Sequence, residues 1–158
     1  MTEQLSPLAL QALAVVEESG AIISANHAHP HTIRHKGRID LVTETDIAVE
    51  AFLKERLATL APQAGFLAEE SAEDLSLPDT CWIIDPVDGT ANFAHQRMLW
   101  GISIAFAEGG VIRDGGVYMP ELGEMMITSG GRAFYSHVPG VPDADSLRSN
   151  MREMVPPE

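Results

Sequence analysis

The first periodic stretch of the chain follows Ser6-Pro7, a cap residue with proline at the first helical position. Leu10, Leu13, Val16, Gly20 and Ile23 then recur at three-to-four spacing. The pattern predicts a helix that packs one face against a sheet or another helix. From Asn26 to His35 the chain is polar and reads as a loop carrying His27, His29, His31 and His35. A solvated loop is the plain reading there, beside a transition-metal site or a phosphate contact at a rim, and no cysteine accompanies these histidines. Asp40 to Thr43 reads as a strand or hairpin arm. Thr45 or Asp46 is then expected to cap a second helix, whose stripe is Val49, Phe52, Leu53, Leu57 and Leu60 and whose end is Pro62. On this reading Asp46 is a capping acid held by the positive end of the helix dipole.

Beyond Pro62 the period changes. Gly65 to Ala68 predicts a short strand ending in Glu69-Glu70-Ser71, and the acidic stretch before Thr80 reads as a surface loop. Cys81 to Ile84 has the β-branched and aromatic content of a buried strand. From Met98 onward Ile102, Ile104 and Phe106 alternate with Ser103, Ala105 and Ala107. Turns at Glu108-Gly109-Gly110, Met119 to Gly123 and Ser129-Gly130-Gly131 divide the rest into arms from Val111 to Tyr118, Glu124 to Thr128 and Arg132 to Tyr135. Four strands with short connections predict an antiparallel meander, unlike a strand and crossover-helix repeat. None of the glycines stands in a GxGxxG frame between strand and helix, which excludes a dinucleotide fingerprint. The domain is therefore expected over 1–137, with an irregular Pro-rich tail at 138–158.

Composition adds one constraint. The 158 residues, 45% apolar and 21% charged, suit one domain with a sizeable core. Ten basic against 23 acidic residues give a formal charge of −13, which argues against a nucleic-acid backbone or an anionic membrane surface as partner. An anionic ligand would then need bound cations to reverse the local field. The single cysteine, Cys81, excludes an internal disulfide and reads as a small buried side chain. No basic N-terminal region precedes an apolar one, and no window approaches about 18 apolar residues, so a soluble, cytoplasmic protein is expected.

Candidate chemistry gathers where the strand of Cys81 to Ile84 ends. Asp85 and Asp88 lie three residues apart on a backbone bent by Pro86 and Gly89, and they can converge on one point. Such a site suits a hard cation, since Mg²⁺ takes oxygen ligands at about 2.1 Å and the Val87 carbonyl could supply another. A plain surface turn is the competing reading, because Asp-Pro and Asp-Gly are common turn dipeptides. The adjacent acids Glu69 and Glu70 must face apart unless a cation neutralises one of them.

The run Trp82-Ile83-Ile84-Asp85-Pro86-Val87-Asp88-Gly89-Thr90-Ala91-Asn92-Phe93 resembles the signature of the inositol monophosphatase family, whose members are Mg²⁺-dependent, lithium-sensitive phosphomonoesterases. Asp40-Leu41-Val42-Thr43-Glu44-Thr45-Asp46 resembles an earlier block of that family. Glu69-Glu70 resembles its Gly-Glu-Glu block, with Ala68 in place of the glycine. The fold implied is α+β, a layered α/β/α/β/α sandwich of which this chain would hold two N-terminal helices and a largely antiparallel sheet. The resemblance implies that Glu69, Asp85, Asp88 and the Val87 carbonyl hold two Mg²⁺ ions. It further implies that Glu69 and Thr90 orient the attacking water and that the amides of Gly89 and Thr90 cradle the phosphate. Lys36, Asp46 and Glu70 would stand behind these groups.

The implied partner is a small phosphorylated substrate, with no nucleic acid and no membrane, and a homodimer is implied for the full-length form. Inositol monophosphate is the first expectation for the substrate. A nucleotide or sugar bisphosphate is the alternative within the family, and a catalytically weak or inactive truncated metal-binding module with a regulatory or assembly role is the alternative outside it. The resemblance runs over residues 6 to 137. No match is found to the family's C-terminal half, whose Trp-Asp motif completes the metal cluster, so weakened catalysis and an uncovered apolar sheet face are expected.

Overall fold

The computed structural model describes residues 5–27, 33–35, 41–71, 78–139 and 144–155. The first helix, α1, spans Pro7–His27. Ser6 caps it, with the Ala9 amide donating to Ser6 Oγ across 2.9 Å. Its predicted stripe is buried at Leu13, Val16, Gly20 and Ile23. By length and composition α1 could also cross a membrane, contrary to the expectation that no window of the chain comes near that limit; here half of its apolar window is buried within the protein.

The histidine-bearing stretch departs from a simple loop. The helix runs on to His27, and Ile33–His35 forms strand β1, antiparallel to β2 at Leu41–Thr43. His29, His31, Lys36 and Asp40 lie outside the described residues.

The second helix, α2, spans Glu44–Leu60 and starts earlier than predicted. Thr43 is its cap, not Thr45 or Asp46, because Asp46 sits at the position that closes a reciprocal capping box. The Asp46 carboxylate accepts the Thr43 amide at 3.0 Å, and Thr43 Oγ1 accepts the Asp46 amide at 3.3 Å. Of the predicted stripe, Val49, Leu53 and Leu57 are almost wholly buried. Burying each leucine side chain contributes about 1.5–3 kcal/mol.

Seven strands form the main sheet in the order β3-β4-β5-β6-β7-β8-β9. Strand β3 (Gly65–Ala68) runs parallel to β4 (Thr80–Asp88). From β4 onward neighbours are antiparallel through β5 (Gly101–Glu108), β6 (Val111–Met119), β7 (Glu124–Ser129) and β8 (Arg132–His137). The predicted meander is present. Between β4 and β5 lies a short helix, α3, at Thr90–Ala94.

The expected irregular tail is not irregular throughout. Ala144–Ser149 forms helix α4, and Arg152–Glu153 forms β9 on the edge of β8. Leu147 and Met151 are the cause, since both are buried in the core, and Ser136 Oγ donates to the Leu147 carbonyl at 2.8 Å.

Alternation along the strands separates the two faces of the sheet. Trp82, Ile104, Tyr118, Met125 and Ile127 face α1 and join α2 in one core. A polar clasp fastens the start of α1 to the same face. Ser6 Oγ donates to Asp114 Oδ2 at 3.0 Å, Ser129 Oγ donates to Asp114 Oδ1 at 2.6 Å, and the Ser6 amide donates to Ser129 Oγ at 3.0 Å. Ser103, Val117, Met126 and Thr128 point the other way, into a groove of about 350 Å³.

Candidate active site

The acids of β4 owe their convergence to a bulge. Asp85 pairs with Ser103 and Asp88 with Gly101, so Pro86 and Val87 together oppose the single residue Ile102. In a regular strand, residues three apart point to opposite faces; the extra residue returns Asp88 to the side of Asp85. Proline suits the bulge because it has no N–H to offer a ladder. Pro86 and Val87 are buried, Asp85 is half-buried and Asp88 is exposed.

Parallel pairing brings Glu69 to the same end. The Glu69 amide donates to the Ile84 carbonyl at 3.1 Å, beside Asp85. Burial pushes the Asp85 carboxyl up to about 8, helped by its hydrogen bond with Glu69 and by the negative charges of Glu69 and Asp88. Asp85 Oδ1 is buried with no hydrogen-bond partner. Acids crowded in this way, with an unsatisfied oxygen, fit a hard divalent cation. Among the described residues no three His, Cys, Asp or Glu side chains already stand as a metal cage.

Thr90 links this end of the sheet to α2. Its Oγ1 lies 2.9 Å from Asp46 Oδ1 and 3.0 Å from the Val87 carbonyl, and its one hydroxyl hydrogen can be given to either acceptor. Asp46 is therefore more than a cap, since its other oxygen closes the capping box while this one reaches a residue 44 positions on. Gly89 precedes α3 at φ 87°, and a Cβ there would stand 2.9 Å from the Leu99 carbonyl oxygen. Behind α3, the His27 ring stacks on Phe93 at 5.1 Å and meets Trp100 edge-on at 5.5 Å. His27 Nδ1 lies 3.4 Å from Glu121, so this histidine packs against rings and a carboxylate and does not stand in a solvated loop.

Sequence reading missed Glu50. It stands one turn beyond Asp46 on α2, only 4% exposed, and its Oε2 accepts the Glu70 amide at 2.7 Å. The available signal was its spacing from Asp46 and its place on the buried side of the helix beside Val49 and Leu53. Glu70 is tied into the site through this backbone amide. Lys36 lies outside the described residues.

Comparison with known proteins places these features in a family. The sequence model of the inositol monophosphatase family matches residues 4–153. A Dictyostelium discoideum inositol monophosphatase is 41% identical over 128 residues, which are 78% of this chain and 47% of that protein. Among solved structures, an IMPase of Thermotoga maritima superposes with a TM-score of 0.73 at 29% identity, covering 80% of this chain and 50% of the other. An IMPase/NADP phosphatase complexed with NADP and Ca²⁺ superposes with a TM-score of 0.68 at 28% identity, covering 75% and 47%. The chain spans about half the length of the curated relatives it matches.

Proposed function

This chain belongs to the inositol monophosphatase family, and from that premise we propose that it carries the acidic half of a Mg²⁺-dependent phosphomonoesterase acting first on an inositol monophosphate. The observation that carries this reading is the convergence of Glu69 and Asp88 on the half-buried Asp85, whose Oδ1 is buried with no hydrogen-bond partner and whose carboxyl is pushed up to about 8. Such a group exchanges its proton for a cation. Glu69, Asp85, Asp88 and the Val87 carbonyl would hold the metal. Bound Mg²⁺ supplies Lewis-acid charge for the phosphate oxygens and acidifies water.

The chain's own groups account for the rest. With its hydrogen given to Asp46, Thr90 Oγ1 keeps lone pairs free to accept a hydrogen bond from a water. Glu69, facing the same end of the sheet, takes the second position on that water, orients it for in-line attack on phosphorus and accepts the proton it sheds, while the ester P–O bond breaks and the alcohol leaves. The amides of Gly89 and Thr90 meet the phosphate oxygens as donors; α3 has only five residues, so the N–H groups themselves carry this contact. The raised proton affinity of Asp85 means that metal loading is favoured as pH rises.

The experiment is a turnover assay with Mg²⁺ against a panel of phosphomonoesters that includes inositol monophosphates, NADP and a sugar bisphosphate. Hydrolysis of an inositol monophosphate above the others supports the reading. Preference for NADP or the bisphosphate would move the substrate within the family, and metal binding without turnover of any ester would overturn the catalytic reading.

A further inference from the structure

Helix α2 touches the candidate site twice, at positions one turn apart. Asp46 reaches Thr90, next to the bulge of β4, and Glu50 reaches the turn that carries Glu69. These contacts join two segments that also meet through the parallel pairing of β3 and β4 and through the hydrogen bond between Asp85 and Glu69. We propose that Glu50 is a positioning residue for the metal-binding carboxylate of Glu69. The proposal rests on the reading of Glu69 and Asp85 as cation ligands.

Glu69 sits between two anchored peptide groups. Its own N–H is fixed to the Ile84 carbonyl, and the next N–H, that of Glu70, is fixed to Glu50 Oε2. With both fixed, the Glu69 backbone has little freedom to rotate, so its side chain leaves the turn toward Asp85. Burial of Glu50 shields its bond to the Glu70 amide from water. Lys54, one turn further along α2, stands 3.4 Å from Glu50 Oε1 and 2.5 Å from Ser71 Oγ, which braces the far side of the same turn. The reach matters. From the helix, a glutamate side chain spans the gap to the Glu70 amide, and one methylene less leaves it short.

Groups behind metal ligands are worth about 10–100-fold in affinity in well-studied sites. The test measures Mn²⁺ affinity by calorimetry, amide exchange at Glu70, and stability in urea. Glu50→Asp keeps the charge and withdraws the oxygen, whereas Glu50→Gln keeps an oxygen within reach and drops the charge. Positioning predicts that Glu50→Asp weakens Mn²⁺ by about tenfold or more and speeds Glu70 exchange, while Glu50→Gln stays close to wild type in both. Leu57→Ala, on the same helix and fully buried, serves as the structural control, losing stability without losing affinity. Mn²⁺ affinity that falls in step with stability across all three variants would overturn the role of Glu50, as would an unchanged affinity in Glu50→Asp. Failure of the wild type to bind Mn²⁺ would overturn the cation site itself, and the role of Glu50 with it.

Discussion

Thr90 Oγ1 and Asp46 Oδ1 meet at 2.9 Å, joining the start of α3 to the first turn of α2 across 44 residues. Thr90→Val keeps the shape of the side chain and removes this bond. Losing one hydrogen bond should cost about 1 kcal/mol of stability. On the proposed mechanism, in which the hydroxyl orients the attacking water, the expected fall in kcat is far larger, about 100-fold. Steady-state kinetics on an inositol monophosphate, beside a urea titration, separates the two effects. A rate that falls only as far as stability does would remove Thr90 from the mechanism.

Asp88 is exposed and forms no part of the core, so Asp88→Asn should fold as the wild type does. Its Mg²⁺ or Mn²⁺ binding should nonetheless be lost in calorimetry, since a neutral amide is a poorer ligand than a carboxylate for a hard cation. Equal binding by the two proteins would take Asp88 out of the ligand set.

The acid pair makes stability depend on pH in a direction unusual for a carboxylate. Asp85 keeps its proton up to about 8 in the folded state, against an ordinary value of 3.8. Between those limits the folded chain binds the extra proton, so the stabilisation is fully present at acid pH and is lost as pH rises toward about 8. In a chelator, the urea midpoint should therefore be lower at about pH 9 than at about pH 5, and Mg²⁺ should restore it at the higher pH. A midpoint that rises with pH in chelator would contradict the protonated pair.

Gly89 holds φ 87° with the Leu99 carbonyl oxygen 2.9 Å from where a Cβ would lie. Gly89→Ala should cost about 2–4 kcal/mol by adding left-handed strain to overpacking. Loss of Mn²⁺ binding should accompany it, because the turn fixes both Asp88 and Thr90. A shift of the urea midpoint within error would show that the turn relaxes.

Much of this arrangement was legible in the chain. The alternation of Ile102, Ile104 and Phe106 with Ser103, Ala105 and Ala107 is a local signal, and the turns between arms are marked by glycine pairs, so the meander could be read directly. Asp85 and Asp88 could be read as a pair for the same reason. What could not be read is how they share a face. That depends on β5 skipping a pairing opposite Pro86 and Val87, a property of two strands together. Helix α4 and strand β9 were hidden for a related reason. Leu147 and Met151 stand four apart in a short, Pro-flanked polar stretch, too brief a signal to fix a helix, and their burial follows from the packing of α4 against α1 and β8. Glu50 resembled any helical surface acid until the helix was docked, and burial is what gives it a role.

The clasp of Ser6, Asp114 and Ser129 bears on the order of events during folding. Its two bonds from Ser6 span 108 and 123 positions, while the hairpins of β4 to β8 join neighbours in the chain. Contacts of long separation carry the larger closure entropy and tend to form late. Ser6→Ala should leave the refolding rate in water nearly unchanged and speed unfolding, by the rule for interactions absent from the transition state. Stopped-flow chevrons would read this as a change confined to the unfolding limb. The first helix would then act as the last piece to lock, setting how long the native chain survives and not how quickly it is reached.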